Sequence, residues 1–106
     1  MGFEQYHEPA SELSSQTRTF ARMSASLAEE AQAISWYEQR MSVEPDKGAK
    51  AIMADAQEEE FKHFAMALEF LARAKPKWKA VLQAVLFKTD DIVALGKKGE
   101  EAEEKL

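Results

Sequence analysis

The sequence predicts an all-α fold: an antiparallel two-helix hairpin plus a short C-terminal helix, pairing with a second copy into a four-helix bundle. Three observations carry this. Apolar residues recur every seven positions over residues 13–41, the spacing that faces a helix along a partner helix. A second stripe with alternating steps of four and three runs over residues 49–74. The three prolines, Pro9, Pro45 and Pro76, fall only outside these stripes, where a helix can start or stop.

In the first helix Leu13, Phe20, Leu27, Ile34 and Met41 form one row of the stripe. Gln16, Met23, Glu30 and Tyr37 form the other. Pro9 suits a first helical turn, and Ser11 or Ser14 suits a cap for a later start. Pro45 ends the helix because it pushes Glu44 out of the right-handed helical region. "EPDKG" is then a short turn, with Asp46 placed to cap the second helix, Lys47 to Ala74. That helix's stripe reads Ala49, Met53, Ala56, Glu60, His63, Ala67, Phe70, Ala74. Two long helices joined by so short a turn run antiparallel. Pro76 opens a third, shorter helix with Trp78, Val81 or Leu82, and Val85 on its apolar face. "FKTDDIVALG" reads as a short capped helix ending at Gly96. Residues 1–8 read as a loose N-terminus and 97–106 as a charged, mobile tail, so residues 1–106 make one domain.

A hairpin striped in this way has a thin core and leaves an apolar face open, so the stripes ask for a second hairpin. Composition narrows the chemistry. Hydrophobic residues make up 45% and charged residues 31% of the 106, a folded profile. No apolar run approaches a membrane span, and "MGFEQYHEP" lacks the basic and apolar regions of a secretory signal. A net charge of −5 with scattered basic residues excludes nucleic acid as the expected partner and favours cations. With no cysteine, any metal must be held by Asp, Glu or His.

Three polar residues interrupt the stripes near their midpoints: Glu30, Glu60 and His63. Glu30 and Glu60 lie about equally far from the turn at residues 44–46, so an antiparallel hairpin sets them level. Glu60 and His63, three apart, share one face. A lone buried carboxylate costs several kcal/mol or takes up a proton; two carboxylates and an imidazole together can bind a cation instead. A Glu on one helix with Glu-x-x-His on the next is half the ligand set of carboxylate-bridged di-iron bundles. A symmetric dimer completes it, and iron suits such oxygen and nitrogen donors. Tyr37 lies beyond Glu30 on the same stripe, placed to stack or donate a hydrogen bond. The blander alternative is a histidine bonded to Glu60 at a wet interface, in a chain rich in glutamate. Glu58, Glu59 and Lys62 read as a solvated face, with Glu59 the one of them placed to support a metal. Met23, Met41, Met53 and Met66 read as packing residues, and Trp36 as packing against the third helix or a neighbouring subunit.

"HEP" near the start, "EEAQAISWYEQR", "EEEFKHFAMALEFL" and "LFKTDDI" resemble the encapsulated ferritins, short ferritin-like proteins carried as cargo inside encapsulin nanocompartments. The resemblance covers about residues 7–92. It implies a ferritin-like four-helix bundle formed by two subunits, a di-iron ferroxidase centre at their interface, and a ring-shaped decamer of five dimers. By motif position it implies Glu30, Glu60 and His63 as the iron ligands, with Tyr37 and Trp36 beside them and Glu29 as a peripheral acidic position. Where the family can carry a further glutamate this chain has Gln32, which predicts a weakened peripheral site. The resemblance also implies a C-terminal targeting peptide. The chain stops at "GEEAEEKL", so either the chain is truncated or this member does not enter a shell by that route.

The expected function is therefore oxidation of Fe(II) to Fe(III) by O₂, for iron storage and detoxification in the cytoplasm inside an encapsulin shell, with self and the shell protein as partners and neither nucleic acid nor membrane. The alternatives are a non-catalytic helical dimer whose polar residues fix register, and a two-metal site without ferroxidase turnover.

Overall fold

The computed structural model describes residues 6–106. Of the loose N-terminus expected over residues 1–8, residues 1–5 lie outside that span. Among the described residues all regular structure is helical: a 3₁₀ turn at Ala10–Glu12, then α1 (Ser15–Val43), α2 (Lys47–Ala74), α3 (Pro76–Val85) and α4 (Ile92–Glu104). The chain divides into two compact units, residues 1–69 and 70–106.

In the first unit the helix ends follow local chemistry. Pro9 precedes the 3₁₀ turn rather than α1 itself. The α1 cap is Ser14, whose Oγ accepts the Thr17 N–H at 3.0 Å. Glu44, ahead of Pro45, is extended at φ −80° and ψ 119° and ends the helix. Its carboxylate accepts the Asp46 N–H at 3.0 Å. Asp46 Oδ2 in turn accepts the Ala49 N–H at 2.8 Å, which caps α2. The cross-links between the two helices show their sense. Gln57 reaches Ile34 and Glu38, while His63 stands beside Glu30. As the α1 position rises the α2 position falls, so the pair is antiparallel.

Of the α1 stripe only Gln16 is exposed, and the rest is neither solvated nor covered. Leu13, Phe20, Met23, Leu27, Glu30, Ile34, Tyr37 and Met41 are all half-buried, and α1 has no fully buried residue. Trp36, Ile52, Phe61 and Met66 remain exposed, Met66 at 62% against the packing role expected for it.

The second unit takes the last turn of α2 with α3 and α4. Leu71, Ala72, Leu95 and Gly99 are its buried residues. The α4 cap is Asp91, whose Oδ2 accepts the Ala94 N–H at 3.0 Å. The helix does not stop at Gly96 as expected but continues to Glu104, so most of the supposed tail is helical. Gly96 ends nothing because no glycine among the described residues takes a positive φ, and a helix-ending glycine needs one. Gly99 explains the continuation. A Cβ there would stand 3.2 Å from Val81 Cγ1 and 3.3 Å from Val81 Cα, so its bare backbone lets α4 lie close against α3. The left-handed residue after a helix is instead Phe87, at φ 60° with its side chain in solvent. Lys88 Nζ donates to the Gln83 carbonyl at 2.8 Å, satisfying an acceptor at the end of α3.

Candidate metal centre

Glu30 comes from the middle of α1, and Glu60 and His63 from one face of α2, all within the first unit. One donor atom from each lies within 4.8 Å of the others. His63 Nδ1 stands 3.8 Å from Glu30 Oε2 and 3.8 Å from Glu60 Oε1. That is beyond hydrogen-bond range for a nitrogen and an oxygen, so neither carboxylate binds the imidazole directly. It is a separation that two donors can take around one shared ion, each being about 2.1 Å from it. The two carboxylate side chains are 22% exposed and His63 is 45% exposed, so the cluster opens to solvent on the histidine side.

Crowding governs the electrostatics. A hydrogen bond between the Glu30 and Glu60 carboxyls pushes the Glu30 pKa above its ordinary 4.5. Partial burial and the Glu60 charge push the same way, His63 opposes them, and Glu29 adds a small rise. Two carboxyls crowded together in this way form a site suited to a cation. Glu30 with Glu60 and His63 matches half of the residue pattern of a two-metal, four-helix set.

The other expected residues lie around this cluster. Glu29 is exposed and acts on it only through its charge. Glu59 is paired with Lys62 at 2.8 Å on the solvent face, and the pairing lowers the Glu59 pKa and raises that of Lys62. Tyr37 lies two turns along α1 with the Arg40 guanidinium 5.4 Å from its ring centroid, a cation–π contact. Trp36, 43% exposed, lines a shallow cleft with Gln39 and Arg40. Gln32 is half-buried, and its Oε1 has no hydrogen-bond partner among the described residues. Sequence reasoning passed over Gln57. It lies beside the stripe one turn before Glu60, and that spacing was the only signal available. It is the buried polar residue among those described.

The family described as EncFtn-like matches residues 5–89. The chain belongs to this family. As an EncFtn-like protein it is 43% identical over 84 residues to a "Ferritin-like protein" of Thermotoga maritima, a match spanning 79% of this chain and 74% of that one. It is 38% identical over 89 residues to an "Encapsulated ferritin-like protein" of Rhodospirillum rubrum, spanning 84% of this chain and 64% of that relative's length. A crystal structure of a Nitrosomonas europaea protein shares the EncFtn-like fold at a TM-score of 0.81 and 40% identity, covering 84% of this chain and 98% of that one. These matches agree with the all-helical, ferritin-like architecture. No helix among the described residues is long and apolar enough to cross a membrane.

Proposed function

We propose that this protein is a ferroxidase, oxidising Fe(II) to Fe(III) with O₂ at a two-iron centre built when two copies set their Glu30, Glu60 and His63 clusters face to face. The observation that carries the reading is the crowded carboxylate pair beside an imidazole, with three donor atoms within 4.8 Å. Fe(II) is the substrate. Each ion gives up one electron and O₂ is the acceptor. The three residues would gather the ions and neutralise their charge. The neutralising carboxylates also favour the more highly charged product ion, which helps oxidation along.

The half-covered stripe supports the dimer. A second hairpin would cover Phe20, Met23, Leu27 and Ile34 and would bring the second ligand set. Larger rings, including the decamer the resemblance implies, would be built from such dimers. Tyr37 and Trp36 flank the centre, Tyr37 as a hydrogen-bond donor near it. The name of the Rhodospirillum rubrum relative supports carriage inside an encapsulin shell, where an open ring would deliver its ferric product for storage.

Aerobic Fe(II) oxidation followed by near-UV absorbance tests the reading. Wild type oxidises Fe(II) fast, and Glu30→Ala, Glu60→Ala and His63→Ala fall to the buffer background. Full activity in any one of these variants overturns the assignment of that ligand. Wild type at background overturns the enzyme.

A further inference from the structure

We propose that Gln57 is the positioning residue of the candidate centre, a two-point staple that sets the slide and rotation of α2 against α1 so that Glu60 and His63 face Glu30. The inference rests on the metal-site reading above and adds a residue to it.

Gln57 is 9% exposed. Its Nε2 donates to the Ile34 carbonyl at 3.1 Å and to Glu38 Oε1 at 3.0 Å. An amide nitrogen carries two N–H groups, so both are used and both cross to α1. The Ile34 carbonyl belongs to the α1 backbone and already has a helical partner four residues on; Gln57 takes its second lone pair. One bond to a fixed backbone atom and one to a side chain a turn further along leave α2 little freedom to slide or roll.

The placement links this staple to the centre. Gln57 lies one turn before Glu60 on α2, and Ile34 lies one turn after Glu30 on α1. The apolar stripes cannot supply the same precision. Their steps of three and four recur along both helices, so a slip of one turn matches apolar residues to apolar residues again while moving α2 by about 5.4 Å. The short turn at residues 44–46 holds the helices at one end only. Gln57 is about 15 Å further along by helical rise. A single buried polar group that specifies register is the best-attested use of such a residue.

The test uses the full chain and two readouts, one free of metal. Because the chain has no cysteine, Arg22→Cys with Ala65→Cys gives one spin label on an exposed position of each helix. Labelled chains are diluted with unlabelled ones, so that the pulsed-EPR distance is that within one hairpin. Co(II) titration, followed by its visible absorption, reports the site. Gln57→Met keeps length and helix propensity and deletes both bonds. Gln57→Arg keeps N–H donors for a carbonyl and a carboxylate. Gln57→Met is expected to broaden or shift the distance distribution and weaken Co(II) binding about tenfold or more, while Gln57→Arg keeps the wild-type distance and affinity. A Gln57→Met protein with wild-type distance overturns the proposal, whatever its Co(II) affinity; so does one with a changed distance and wild-type affinity. If Gln57→Met does not fold, Glu38→Ala carries the test by removing one anchor, and a wild-type distance and affinity there overturn the proposal. If wild type binds no Co(II) while Gln57→Met still changes the distance, the metal reading fails and the register role of Gln57 stands.

Discussion

Replacing Glu30 with Gln removes one of two carboxyls that face each other. Their donor atoms lie within 4.8 Å. At that separation two unit charges repel by about 0.9 kcal/mol in bulk water and by about 3.5 kcal/mol at an effective dielectric of about 20. Each side chain is 22% exposed, so the cost lies between these limits. The hydrogen bond to Glu60 and partial burial, with the Glu60 charge adding to them, raise the Glu30 pKa, so the folded protein holds the Glu30 proton to higher pH. The sign follows by linkage. A group that binds its proton more tightly when folded stabilises the fold fully below its unfolded pKa, and that stability is lost as pH rises through the folded pKa. Metal-free wild type should therefore lose stability as pH climbs above about 4.5, and Glu30→Gln should not. The assay is urea unfolding by circular dichroism in chelator at fixed chain concentration, from pH 4 to pH 8. The variant is expected to equal wild type at the acid end and to exceed it by about 1 to 3 kcal/mol at neutral pH. Adding Fe(II) under anaerobic conditions should reverse the order, because only wild type gains binding energy in the folded state. A gap that does not change with pH, or a less stable variant in chelator, refutes the crowding on which the site reading depends.

Three further outcomes follow from the packing. Gly96→Ala should raise the melting temperature, since nothing lies within 4 Å of a Cβ there and an interior glycine costs a helix about 0.5–1 kcal/mol. Gly99→Ala should not, because the same methyl meets the Val81 backbone; equal gains in thermal melts contradict the close α3–α4 approach. Phe87→Gly should stabilise the chain by about 1 kcal/mol by relieving a left-handed backbone, and a loss in denaturant titration would mean that the exposed ring is covered in the assembly. Tyr37→Phe should leave Fe(II) affinity within about threefold of wild type while slowing oxidation, and an unchanged oxidation rate removes Tyr37 from the centre.

Much of this fold is written in local chemistry. Pro45 and Pro76 mark the helix breaks, and Asp46 and Asp91 cap the helices that follow, because caps and prolines act within one turn of themselves. That Glu30 meets Glu60 and His63 was also legible, since an antiparallel hairpin pairs residues equally distant from its turn. What the sequence hid depends on tertiary contact. Gly96 reads as a stop only while nothing is known of the surface on which α4 lies; the close approach of Gly99 to Val81 carries the helix onward. Gln57 is hidden because its worth lies in a carbonyl on the other helix, and no periodicity reports which backbone atom faces a side chain. The raised Glu30 pKa needs a distance, which level placement alone does not supply.

A centre split between two chains is tested most directly by anaerobic Fe(II) titration followed by native mass, with wild type beside Glu60→Ala. Two metals per four helices predicts about one iron per chain, bound only in species with an even number of chains, and no such binding in the variant. Iron held at the same ratio by single chains, or equally by wild type and Glu60→Ala, would contradict it.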